Sequence, residues 1–147
     1  MLVITREQAR RFLLIHQGLY PPKSIRIKDD IVDYIRRVGC IQYDPIDVAG
    51  RNADLVLQSR VAEYHPGILN ELLYSDRRLI DGYDKNMSIY LVEDWPYFTR
   101  RREDARVNLA NPDRPAAAVF PQIRRELENR GPLSSIDIDL AGRVDWA

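Results

Sequence analysis

Two residues in "GCIQYDPIDVAG" have the types and spacing for chemistry. Gln42 and Asp44 stand two apart around Tyr43, directly after the apolar pair Cys40 and Ile41 and directly before Pro45. In an extended chain, residues i and i+2 point to the same side. An amide and a carboxylate so placed can hold one water between them. The carboxylate can take its proton or stabilise a nearby cation, and the amide can orient it. The same residues also admit a purely structural reading. Asp-Pro opens turns, and Asp side chains bond neighbouring backbone amides.

Arginines follow the pair. Arg51 and Arg60 lie just downstream, and "RRRED" supplies Arg100, Arg101 and Arg102. Guanidinium groups pair bidentately with phosphate, and such contacts position a nucleic acid without reading its sequence. The alternative for the run is a solvated helix face on which Glu103 and Asp104 offset much of the charge. His16 falls on the apolar face of a helix and reads as a buried or half-buried histidine. His65 precedes Pro66 and reads as a turn residue. Trp95, Tyr97 and Phe98 read as core aromatics, and Tyr83 with Tyr90 as cross-strand packing. There is no HExxH, P-loop or glycine-rich dinucleotide fingerprint, so neither a metal nor another cofactor is expected.

The elements that must position these residues are mostly helical. In "TREQARRFLLIHQGLY", Thr5 and Gln8 have capping-box spacing, and Ala9, Phe12, Leu13 and His16 share a face predicted to be buried. "IKDDIVDYIRRVG" predicts a second helix with Ile31, Tyr34, Ile35 and Val38 inward. Its acids come first and its arginines last, as the helix dipole prefers. A third helix is expected from about Asn52 to Arg60, and a fourth in "HPGILNELLYSD", with Leu69, Leu72 and Leu73 together. "RRLIDGYDKNMSIYLV" reads as a β-hairpin. Helices followed by a hairpin outline a winged helix, although many α+β domains share that outline. "EDWPYFTRRREDARVN" predicts a helix with Pro96 in its first turn. "LANPDRPAAA" reads as a linker. A helix with Ala116, Phe120, Ile123 and Leu127 in register follows it, and then a helix start capped by Ser134 or Ser135. The expected fold is therefore mainly α with a small β-hairpin. Residues 1–110 form one domain, and 111–147 form a linker and the start of a second unit. The ending "GRVDWA" suggests a piece of a longer protein.

Composition sets outer limits. The chain has 147 residues, 45% hydrophobic and 30% charged, with net charge zero and a pI near 6.7. That balance weighs against a strong nonspecific nucleic-acid binder, though a local patch can outweigh the total. A single cysteine, Cys40, excludes an internal disulfide and a cysteine-based metal site. With no long apolar run and no signal-peptide pattern, a cytoplasmic protein outside the membrane is expected.

Past Gln42 the sequence resembles the AlkZ/YcaQ-type DNA glycosylases, which unhook alkylated bases and interstrand crosslinks. Their signature is Gln, an apolar or aromatic residue, then Gln or Asp, and Gln42-Tyr43-Asp44 matches the Gln–x–Asp form. The match runs on through Arg51, "LVL" at 55–57 and Ser59-Arg60. "ARRFLLIHQGL" resembles the family's first helix, and "RGPLSSIDI" with "VDWA" the start of its second winged helix. One position departs: the family carries an aromatic–Ala–His stretch before the segment matching "MSIYL", and here Lys85 stands where the His would be. The resemblance implies tandem winged-helix units, damaged double-stranded DNA as partner, and Gln42 and Asp44 as the catalytic pair. By residue type, Arg51, Arg60, Arg100 and Arg101 are the candidates for backbone contact, and Arg60 could equally be a structural ion-pair partner. The rival readings are a noncatalytic winged-helix regulator, which needs a basic recognition helix, and a protein-interaction winged helix.

Overall fold

The computed structural model describes residues 3–44, 47–83, 86–111, 113, 115–133 and 137–138. Pro45, Lys85, Ser134 and Ser135 lie outside the described residues. The chain is mainly helical with one small antiparallel sheet, as the patterning predicts. It forms two compact units, Met1–Phe98 and Thr99–Ala147.

In the first unit, α1 spans Arg6–His16 and opens with the expected capping box. Gln8 N–H donates to Thr5 Oγ1 at 3.1 Å, and Thr5 N–H to Gln8 Oε1 at 2.9 Å. Its apolar face is not buried. Phe12 is 63% and Leu13 57% exposed, and no residue of α1 is in the core. That exposure corrects the buried-face expectation, while His16 is half-buried as expected, its ring stacked on Phe12 at 5.8 Å. Periodicity marks which face is apolar, and only tertiary contacts decide whether anything covers it. The helix is tied down at its end instead. Gly18, at φ +68°, lies against the ring of Tyr34, where a Cβ would come within 3.2 Å.

α2, Lys28–Val38, is the central element. Ile31 and Ile35 are fully buried, with Val32 and Tyr34 beside them. Asp30 closes its N-terminus by accepting from Arg26 N–H at 3.0 Å and Ile27 N–H at 3.2 Å. After Gly39 comes the short strand β1, Ile41–Gln42, and then α3, Asn52–Gln58. α4, Pro66–Asn70, continues into a π-helical turn, Glu71–Ser75, which buries Leu72. The hairpin follows as β2, Leu79–Tyr83, and β3, Met87–Leu91. The sheet order is β1-β3-β2, so the two-residue strand lies outside the hairpin, on β3. Ile41 pairs with Ile89 and Gln42 with Ser88, while Ser88 also faces Gly82 across β2. Ile41, Leu79, Ile89 and Leu91 join the helices in one core.

A 3-10 segment, Val92–Phe98, replaces the first half of the helix expected from Glu93 onward. Phe98 packs on Tyr90, ring centroids 4.4 Å apart. Tyr97, expected in the core, is 84% exposed. In the second unit, α5 (Thr99–Leu109) and α6 (Pro115–Arg130) contact one another around an apolar hollow of about 360 Å³ floored by Leu109 and Phe120. Phe120 and Leu127 remain 42% and 40% exposed.

Candidate active site at the end of β1

The alternation of the sheet sets the site. Ile41 faces the core, 4% exposed, and Gln42 faces outward. Pairing carries on one residue past the strand, because Tyr43 N–H donates to Met87 O at 2.9 Å. The backbone is therefore held up to Tyr43, and Asp44 follows at once, half-buried. Tyr43 takes the core side and lines a hollow of about 100 Å³ with Tyr74, Asp81, Met87 and Ile89. So the middle residue of the Gln–x–Asp triplet is packed, and its amide neighbour meets solvent. A cavity of that volume is below the roughly 300–1,000 Å³ of pockets that enclose small molecules.

Arg51 stands one residue before α3 and lines this hollow and a second one of about 320 Å³ near Asp47, Gly50 and Leu55. Its Nε donates to Asp54 Oδ2 at 2.5 Å, and one terminal nitrogen reaches Asn70 Oδ1 at 3.5 Å. Asp54 is a buried carboxylate, 9% exposed, and its other oxygen accepts from the Tyr64 hydroxyl at 2.5 Å. Burial, then the Asp54 carboxylate, pushes the Tyr64 hydroxyl pKa well above its ordinary value, so Tyr64 stays a donor. The hydrogen bond to Asp54 likewise raises Arg51.

Arg60 does something else. It is 9% exposed, and its guanidinium donates to Gln17 O at 2.7 Å, Val56 O at 2.8 Å and Ser59 Oγ at 2.7 Å, while lying 5.2 Å from the centre of the Tyr34 ring. With those donors turned inward it ties the end of α1 to α3 and α2, which fits the structural role that sequence also allowed it. Arg100 and Arg101 are exposed on α5 in the other unit, where Arg102 donates to Thr99 Oγ1 at 2.9 Å. The structure thus sets Arg51 beside Tyr43, the middle residue of the triplet, while Arg60 makes its contacts with Gln17, Val56 and Ser59.

Asp54 and Tyr64 were not singled out by sequence. One signal was available: an acid within the apolar run "NADLVL", three residues after an arginine, has a partner within one helical turn. Nothing in the sequence pairs Tyr64 with it, because that contact forms only when the chain after α3 folds back. Tyr83 is 67% exposed at the end of β2, so its expected packing role falls to Tyr90, which is buried. Among the described residues no group of His, Cys, Asp and Glu could hold a metal ion, and no helix is long and apolar enough to cross a membrane.

A family model described as DNA glycosylase AlkZ-like matches residues 35–147. Among curated proteins and solved structures, nothing matches the chain.

Proposed function

This chain belongs to the AlkZ-like DNA glycosylase family, and from that premise we propose that it hydrolyses the N-glycosidic bond of N7-alkylated purines, crosslinked ones included, in duplex DNA. Gln42 and Asp44 are the catalytic pair in this reading. The observation that carries it is local: Gln42 is exposed and Asp44 half-buried on either side of a tyrosine that the sheet holds in place.

The chemistry suits a carboxylate without a strong general acid. N7-alkylation gives the purine a positive charge, so the bond from C1′ to N9 breaks with its electron pair moving into the base and neutralising it. The sugar develops oxocarbenium character at C1′. Asp44 stabilises that charge and takes a proton from the attacking water, whose oxygen bonds to C1′. Gln42 orients the water through its amide. The small volume beside Tyr43 supports an open site, since a crosslinked base cannot swing into a closed pocket as in ordinary base flipping.

The element order also supports a winged-helix first unit: helices, a short strand, helices, then a hairpin whose second strand lies in the middle of the sheet. In that arrangement α4 and its π-helical extension take the recognition position. "PGILNELLYS" contains no lysine or arginine, which disfavours a regulator that reads the major groove with a basic helix.

The test is single-turnover release of N7-methylguanine from a duplex. Asp44→Asn is expected to lower the rate by about 10²–10³, the usual loss for one electrostatic element of this kind. Gln42→Ala is expected to lower it less. An unchanged rate in Asp44→Asn would remove Asp44 from the mechanism.

A further inference from the structure

Arg51 and Arg60 lie at opposite ends of α3, and the fold uses them differently. Arg60 spends its guanidinium on two backbone carbonyls and a hydroxyl beneath the surface. The Arg51 side chain is one-third exposed and is gripped along one edge only. Its Nε is fixed by Asp54, and its other acceptor among the described residues is Asn70 at 3.5 Å, the far limit of a hydrogen bond. The carboxylate that grips it cannot turn, because it is buried and each oxygen has its own donor, Arg51 on one and Tyr64 on the other. The terminal nitrogens of the fork are therefore presented between two hollows, one of them walled by Tyr43 of the Gln–x–Asp triplet.

We propose that Asp54 and Tyr64 are positioning residues that aim Arg51 at a phosphate of the DNA backbone. The proposal rests on the glycosylase reading for its DNA partner. Arg51 donates its terminal N–H groups to the phosphate oxygens, and Asp54 holds the Nε edge so that the fork does not fold back onto the protein. Tyr64 keeps Asp54 from rotating. A planar fork suits a phosphate's paired oxygens where a lysine offers only a point charge.

The experiment measures affinity of the full chain for an undamaged duplex between 50 and 200 mM salt, on the scale over which phosphate contacts report themselves. It uses wild type, Arg51→Gln, Arg51→Lys, Tyr64→Phe and the Arg51→Gln/Tyr64→Phe double variant. Arg51→Gln is expected to weaken binding about 10-fold and to make the slope of log K against log salt shallower by about 0.9, one phosphate's worth. Tyr64→Phe is expected to weaken binding several-fold when Arg51 is present and not at all in the Arg51→Gln background, the non-additivity of two residues acting as one. Arg51→Lys is expected to keep the slope, because the charge stays, and to lose affinity with the fork. An unchanged slope in Arg51→Gln overturns the proposal. So does an equal effect of Tyr64→Phe in both backgrounds, or a wild-type chain that binds no duplex. N7-methylguanine release, followed separately, tells this failure from that of the glycosylase reading. Wild type that binds with the expected slope and coupling but releases no base defeats only the latter.

Discussion

Arg60 shows how far a side chain's surroundings outweigh its type. Its three acceptors come from the end of α1, from α3 and from Ser59, so removing the guanidinium unties these segments, although Val56 O keeps the Ser59 hydroxyl. Hydrogen bonds made by a charged group contribute about 1.5–3 kcal/mol. Arg60→Met is therefore expected to lower the stability of the first unit by about 2–3 kcal/mol in denaturant unfolding, with only a minor change in the salt dependence of DNA binding. A normal midpoint with a shallower salt slope would mean that Arg60 faces DNA after all. Sequence could name both arginines but not separate them, because the difference lies in carbonyls supplied from 43 residues away in one case and in a buried carboxylate in the other. Gln42 and Asp44 stood out as candidates because their peculiarity is local: two polar residues two positions apart at the end of an apolar stretch.

Among the elements, α2 was readable almost completely, since its stripe, its first-turn acids and its closing Gly39 are all local signals. α1 was readable as a helix and not as a packed one. The hairpin was readable as two strands, whereas β1 was not readable as its neighbour. A two-residue strand has no period of its own, and it exists through the ladder to β3. Within that sheet, Gly82 marks a close approach. A Cβ there would stand 2.5 Å from the Tyr90 hydroxyl and 3.2 Å from its ring. Tyr90 cannot yield easily, because it is buried and packed on Phe98. Overpacking of this kind costs about 1–3 kcal/mol. Gly82→Ala should therefore destabilise the first unit by that amount, and by less in a Tyr90→Phe background, where the clashing oxygen is gone. Equal costs in the two backgrounds would place the strain elsewhere. Since β3 also carries Met87, which accepts from Tyr43, Gly82→Ala is expected to slow base release as well.

At the scale of the whole molecule the question is how a chain of zero net charge engages a polyanion. Much of its arginine is already committed. Arg36 pairs with Asp33 and Glu93, Arg78 with Asp29, Arg124 with Glu128, Arg130 with Glu126, and Arg60 is internal. Arg100 and Arg101 are exposed on α5 of the second unit, and Arg51 of the first unit is held half-open by Asp54. Each phosphate that an arginine neutralises releases its counterions with a contribution of about −0.9 to the slope of log K against log salt. Three contacts give a slope near −3, far shallower than the steep dependence of proteins that grip six to ten phosphates. Replacing Arg100 and Arg101 by glutamine together is expected to bring it to about −1 with little effect on folding, because α5 buries none of its side chains. A wild-type slope steeper than about −6 would require phosphate contacts beyond these arginines. A double variant with the original slope would confine binding to the first unit. Affinity this modest fits the proposed reaction, in which a cationic lesion supplies its own leaving group and the surface need only hold the backbone long enough for one water to react.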